Sequence, residues 1–211
     1  MSEAPKARRP HVADLTHGWA LGRARVEQQF FEDLYARVED PWRFATSDYE
    51  REKYAHTLMA LRGRRFEKGL EVGCSIGVFT EQLATLCDEV LAIDVSPLAL
   101  GRARRRLRSQ PGVSLARVTF PEEMPEGPWD LVVCSEVLYY LDVAAFELAL
   151  ERLRTVLEDG GTVLAVHWRA PTRSYPLRGD EVHEWLVAEL GAWHELDDRR
   201  PDYRFDRFEG R

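Results

Sequence analysis

Residues 68–80 read K-G-L-E-V-G-C-S-I-G-V-F-T, and the order of those residues decides the fold. Residues 69–72 form a short apolar strand. Gly73 and Gly77 break it into loop, and Phe79, Leu83 and Leu86 then recur at helical spacing. Strand, glycine turn and helix in that order bring backbone N–H groups to the carboxyl end of a parallel sheet, where α/β folds bind ligands. Glycine adopts backbone angles closed to other residues and lets a ligand approach the main chain. The spacing Glu71-x-Gly73-x-x-x-Gly77 is not the dinucleotide pattern Gly-x-Gly-x-x-Gly, and no Gly-Lys-Ser/Thr follows to make a P-loop. An acid at the strand end beside such a loop suits a nucleoside ligand that carries a cationic amine in place of phosphates.

Working outward, residues 90–96, V-L-A-I-D-V-S, read as a buried strand ending in Asp94. Its distance from Gly73 is the roughly 20 residues at which an acid on the second strand grips ribose hydroxyls. Further strands are expected at residues 113–118, 129–135 and 160–168. The chain closes with two short alternating runs at 192–196 and 203–208. Helices fall between them. Ser47 and Glu50 form an S-x-x-E capping box, and Tyr54, Leu58 and Leu61 make the inward stripe of the helix it opens. Ser96 caps a helix that begins at Pro97, the favoured first-turn place for proline. Asp142 caps one striped by Phe146, Leu150, Leu153 and Leu157. A first helix is expected over residues 16–37 with Val26, Phe30 and Leu34 as its stripe, and a last one over 180–190.

The chain has 211 residues, 45% hydrophobic and 31% charged, which fits one globular domain with a full sheet. Net charge is -7, against nonspecific nucleic-acid binding. The run Arg102, Arg104, Arg105, Arg106 and Arg108 reads as a solvated helix face. No apolar run approaches the ~20 residues of a membrane span, and the first ten residues have no apolar core of a secretory signal. Cys74, Cys87 and Cys134 lack metal-ligand spacing, and His11, His17, His56 and His194 show no cluster, so no metal is expected. A cytoplasmic protein with free thiols is the expectation.

The glycine loop, Asp94, the Asp130-Leu-Val-Val strand and the Gly160-Gly161 turn before a strand together resemble class I S-adenosylmethionine-dependent methyltransferases over about residues 47–168. The resemblance implies an α/β, Rossmann-like fold. Its sheet is mostly parallel and seven-stranded, with helices on both faces and an antiparallel C-terminal edge hairpin. It also implies three parts: residues 1–15 disordered, 16–66 helical and covering the cofactor site, and 67–211 as the core. For S-adenosyl-L-methionine it implies Glu71, Gly73, Cys74 and Gly77 at the methionine end, Asp94 and Val95 at the ribose, Phe120 on the adenine, and Ser135 and Glu136 near the methyl group.

The segments D-P-W-R at residues 40–43, S-D-Y-E-R-E-K-Y at 47–54 and E-V-L-Y-Y-L at 136–141 resemble, more narrowly, the nodulation protein S family. Those enzymes N-methylate the deacetylated glucosamine end of a chitin oligosaccharide. The resemblance implies Trp42, Tyr49 and Tyr140 near the cleft and an amine acceptor on a small molecule or oligosaccharide. Nucleic acid and membrane are not expected partners, and nothing in the sequence sets the number of subunits.

An amine attacks only as the free base, so a proton acceptor helps. His167, at the end of a core strand, is the first candidate, Glu136 the second, and His183 or Asp180 the third. The competing reading of His167 is a hydrogen-bonded structural histidine. The segment 169–183, with Arg169, Arg173, Asp180 and His183, is expected to shape the acceptor side. O-methylation, and a silent cofactor-binding subunit that presents Trp42, Trp168 and Trp193 to a partner, are the rival functions.

Overall fold

The computed structural model describes residues 24–170 and 175–210. The expectations for residues 1–15, for the first helix before residue 24, and for Arg173 lie outside them. The described helices are α1 (Gln28–Arg37), α2 (Asp48–Met59), α3 (Val78–Leu83), α4 (Pro97–Arg106), α5 (Val143–Glu158) and α6 (Gly179–Leu190). The strands are β1 (Phe66–Val72), β2 (Cys87–Asp94), β3 (Val113–Arg117), β4 (Leu131–Ser135), β5 (Thr162–Trp168), β6 (His194–Arg199) and β7 (Tyr203–Glu209). None of the described helices is long and apolar enough to cross a membrane.

The seven strands form one sheet in the order β3-β2-β1-β4-β5-β7-β6. β1 pairs in parallel with both β2 and β4, so the strand order reverses beside it. That reversal leaves a crevice at the carboxyl ends of β1 and β4. β7 runs antiparallel between β5 and β6, the edge hairpin expected from the alternation. The parallel strands are apolar on both faces because helices cover both. One buried cluster, including Val132, Val163, Phe146 and Trp185, lies against α5 and α6. The other, including Leu131, Leu164, Phe79 and Tyr54, lies against α2 and α3.

The three N-cap side chains read from sequence close their helices, but the reciprocal half of the Ser47–Glu50 box is not made: Glu50 turns to Lys53, and the Ser47 N–H donates to the Arg43 carbonyl. The Ser47, Ser96 and Asp142 side chains accept the backbone N–H of Glu50, Ala99 and Ala145. α1 departs from expectation. Residues 24–27 are not helical, and the inward face carries Phe31 and Tyr35, while Phe30 is exposed. The arginine run is only partly a solvated face. Arg102 donates to the carbonyls of Tyr35 (2.7 Å), Val38 (3.2 Å) and Glu39 (2.9 Å), gripping the end of α1. Arg106 donates to the Ile76 carbonyl. Helix α2 turns two faces inward: Tyr54, with Leu61 just past the helix end, meets the core, and Glu50, Lys53 and Thr57 are buried on the side of the crevice.

Candidate active site

The crevice is a cleft of about 480 Å³. It is walled by the ends of β1, β2 and β4, by residues 118–120 after β3, and by α1, α2 and the loop between them. Among the expected site residues, Tyr49, Gly73, Asp94, Val95, Phe120, Ser135, Glu136 and Tyr140 line it. Glu71, Cys74, Gly77 and His167 do not.

At the β1–β2 end, Gly73 has φ +77°, and a side chain there would press on Val137 at 3.3 Å. The next turn is held by the Asp94 carboxylate, which accepts the N–H of Ser75 (2.8 Å) and of Ser96 (2.8 Å). A carboxylate has about four lone-pair sites, so these bonds leave Asp94 acceptor capacity for a ligand. Burial pushes the Asp94 carboxyl up to about 6, although those N–H groups oppose it. Tyr35 and Ser75 share a 2.5 Å hydroxyl bond that joins α1 to the glycine loop. Glu71 departs from expectation. It lies inside the fold, its Oε2 has no hydrogen-bond partner among the described residues, and burial, against the Thr80 hydroxyl and with the Asp94 charge in support, pushes its carboxyl up to about 7. Cys74 is a small buried residue beside Ile93, and Gly77 faces Leu107 and Ala103 of α4.

At the β4 end, Glu136 sits at φ +56°, a conformation that non-glycine residues rarely hold unless their surroundings impose it. Its surroundings do. Glu136 Oε1 accepts from Lys53 Nζ at 2.6 Å, and Oε2 accepts from the Tyr139 hydroxyl (2.6 Å) and the Trp168 N–H (2.9 Å). Lys53, 1% exposed, also pairs with Glu50 at 2.9 Å. Burial alone lowers the Lys53 pKa, but the facing Glu136 and Glu50 carboxylates raise it overall. Burial also raises the Glu50 carboxyl, against the pull of Lys53. Two carboxylates and one ammonium leave this end of the cleft net negative. The Lys53 Nζ lies 5.1 Å from the Tyr49 ring centroid, and the buried Tyr49 hydroxyl has no hydrogen-bond partner among the described residues. Phe44, Tyr140, Trp168 and Tyr175 complete an aromatic surround.

The first proton-acceptor candidate is corrected. His167 is fully buried behind the cleft wall, its Nε2 accepts the Leu138 N–H at 3.2 Å, and burial pushes its pKa well below the usual value. It fails to reach the cleft because α6 packs directly on the end of β5: a Cβ at Gly179 would run into the Trp168 carbonyl. The third candidates fall with it. His183 is equally buried, and Asp180 forms an ion pair with Arg169 (2.8 Å). Of segment 169–183, among the described residues, Tyr175 alone lines the cleft.

Sequence reasoning missed Lys53, Glu50, Tyr35 and Ser75. Ser75 lay inside the glycine loop and was there to be found. Lys53 and Glu50 lie in the 47–54 segment that carries the family resemblance, but their residue types gave no sign of a buried role, since a charged helix face is ordinarily solvated. No group of three or more His, Cys, Asp or Glu side chains among the described residues is arranged to hold a metal ion.

Comparison with known proteins gives a consistent result. The family model described as nodulation protein S matches residues 23–171. Nodulation protein S of Bradyrhizobium diazoefficiens is 38% identical over 129 residues, covering 60% of this chain and 62% of that protein. The Rhizobium tropici protein is 38% identical over 126 residues, covering 59% of this chain and 53% of its own length. The matched part thus spans less than two thirds of either relative. Among solved structures, the N-methyltransferase NodS from Bradyrhizobium japonicum in complex with S-adenosyl-L-homocysteine superposes with a TM-score of 0.71. It is 27% identical, and the match covers 87% of this chain and 97% of that one. The sheet is that of the class I methyltransferases.

Proposed function

This chain belongs to the nodulation protein S family, and from that footing we propose that it is an S-adenosylmethionine-dependent methyltransferase acting on an amine of a small molecule or amino sugar. The observation that carries the reading is the pinned carboxylate of Asp94 beside the open Gly73–Ser75 turn. Two oxygens fixed by backbone N–H groups, with acceptor capacity to spare, match the paired hydroxyls of a ribose. The bound cofactor supplies a methyl group on a sulfonium sulfur, open to in-line displacement.

The chain's own residues bind, align and exclude water, and alignment is worth several kcal/mol. Asp94 holds the ribose, and Val95 and Phe120 give the base an apolar wall. Gly73 and Ser75 let the methionine end approach the main chain, with the unpartnered Tyr49 hydroxyl as a donor to it. Glu71 acts on that end through its charge, since its carboxylate does not line the cleft. Ser135 stands beside Glu136 at the end of β4. Glu50 and Glu136 attract an ammonium, and Glu136 takes over the proton-acceptor role first assigned to His167. Tyr140, Trp168 and Tyr175 offer ring faces to the acceptor. α1, α2 and the loop between them cover the cofactor side. The three buried free thiols support a reducing compartment, the cytoplasm.

The test is calorimetry with S-adenosylmethionine and S-adenosylhomocysteine, followed by transfer of labelled methyl to glucosamine oligomers, simple amines and matched hydroxyl acceptors. Binding of both ligands with label on nitrogen is expected. A folded protein that binds neither would end the proposal.

A further inference from the structure

A polar chain runs through the interior behind the cleft and takes no part in the chemistry above. Leu138 N–H donates to His167 Nε2 (3.2 Å), His167 Nδ1 meets His183 Nε2 (3.1 Å), and His183 Nδ1 meets Asp206 Oδ2 (2.5 Å). The other Asp206 oxygen meets His194 Nε2 (2.6 Å), so the histidine read as isolated in the sequence closes the chain. Arg204 Nε lies 3.1 Å from Asp206 Oδ2. His167, His183 and Asp206 are each 0% exposed.

Hydrogen-bond polarity places the proton of each buried imidazole. A backbone N–H can only donate, so His167 Nε2 accepts, and a neutral His167 ring carries its proton on Nδ1. That proton is given to His183 Nε2, which leaves the His183 proton on Nδ1, directed at Asp206. Burial pushes both imidazoles below their ordinary pKa, so both rings are neutral. Burial tends to raise the Asp206 carboxyl, but the His183 bond and the Arg204 charge hold it below the usual range, so the chain ends on an anion. The Nδ1–H form is the less populated one for free histidine in water, and here two rings in series adopt it. The fold supplies the approach. At Gly179 the first turn of α6 packs directly on the Trp168 carbonyl, and one turn later His183 meets His167.

We propose that Asp206 and His183 are positioning residues: they hold His167 in the Nδ1–H tautomer, so that its Nε2 grips the Leu138 N–H and fixes the turn Leu138–Tyr140. That turn sets the Tyr139 hydroxyl on Glu136 and lays Tyr140 on the cleft wall. The Tyr139 ring also packs edge-on against His167, centroids 5.3 Å apart. The effect on turnover rests on the proposed methyltransferase function, whereas the effect on the turn rests on the hydrogen bonds alone.

Nitrogen-15 NMR of the wild-type imidazoles near neutral pH is expected to find pyrrole-type Nδ1 and pyridine-type Nε2 in both His167 and His183. Two variants separate polarity from packing. His183→Gln keeps it, since the amide oxygen accepts from His167 and the NH2 donates to Asp206. His183→Leu fills similar space and loses both bonds. Leu138 amide exchange is expected to quicken roughly tenfold in the Leu variant and stay near wild type in the Gln variant. On an amine acceptor, kcat is expected to fall roughly tenfold in the Leu variant with donor Kd unchanged, and to recover in the Gln variant. An Nε2–H tautomer at His167, or equal losses in the two variants, or none in either, overturns the proposal. If no acceptor is methylated, the tautomer and exchange measurements still decide it. If the Leu variant does not fold, the wild-type spectrum and the Gln variant do.

Discussion

At the scale of one residue, the proposed ribose contact of Asp94 ties a binding property to a pKa. Its ionised form accepts hydroxyl protons and its neutral form does so poorly, so donor affinity should follow its ionisation. With the carboxyl raised to about 6, affinity is expected to hold above that pH and to fall as pH drops through it, approaching tenfold per unit. Glu71, raised to about 7, adds a shallower dependence for a cationic ligand just above that range. Calorimetric titration from acid to neutral pH checks this: Asp94→Asn should remove the step near pH 6 and leave the shallower one. Glu136 carries the second prediction. Glu136→Gln keeps the shape and loses the charge, so acceptor turnover should fall by about 10²-fold while donor Kd stays within about twofold. Single-turnover kinetics beside calorimetry separates the two effects, and an unchanged rate would leave Glu136 as an anchor for the strained end of β4.

Helices α1 and α2 reach the cleft by different means. α1 is held at its carboxyl end by Arg102, whose guanidinium meets three carbonyls there, where a cation is also favoured by the helix dipole. Arg102→Ala should lower stability by roughly 1–2 kcal/mol. It should also weaken donor affinity, because Phe31 and Tyr35 ride on α1. Arg102→Lys should rescue little, lacking the planar fork. Denaturant unfolding with calorimetry tests both variants. α2 is held by Lys53 between Glu50 and Glu136. Lys53→Met leaves two facing carboxylates with no counter-ion and should cost roughly 3 kcal/mol. Combining it with Glu50→Gln should return part of that loss, a non-additivity that a double-mutant cycle reads directly.

Over the whole molecule the buried titratable groups pull stability in opposite directions with pH. His167 and His183 are neutral in the fold, with pKa values below that of the unfolded chain. Their contribution is therefore complete above about pH 6.5 and is lost as pH falls below it. Glu71 and Asp94 have raised folded values of about 7 and about 6. The folded protein holds their protons where the unfolded chain has released them, so their contribution is lost as pH rises from the usual carboxyl range to those values. Each group contributes a slope of at most about 1.4 kcal/mol per pH unit, and between pH 5 and 6.5 the slopes oppose. Thermal unfolding of the ligand-free protein should therefore vary little across that window. A His167→Asn, His183→Gln double variant should instead grow less stable as pH rises through it, and a parallel profile would contradict the buried neutral rings.

What the sequence determined is local and periodic. The strand, glycine turn and helix at residues 68–80, the N-caps at Ser96 and Asp142, and the stripe of α5 all depend on near neighbours and formed as read, whereas the Ser47 box lost its Glu50 half to Lys53. The place of Asp94 in the cleft was legible because its distance from Gly73 is set by one helix between two adjacent strands. The α1 stripe was misread by one position, since a face of mixed polarity turns by what it packs against, here Trp42 and the glycine loop. Tertiary structure decided the rest. Lys53 looks like any helix-surface lysine until the chain brings Glu136, 83 residues away, against it. His167 ends a strand that is buried on both faces, so alternation carried no information about which way it points. Asp206 lies in the polar C-terminal hairpin, and only the packing of α6 on β7 brings His183 against it and buries the pair. Charge in water is cheap and charge in a protein interior must be answered by a partner, and that partner is chosen by the fold and not by the neighbouring residues.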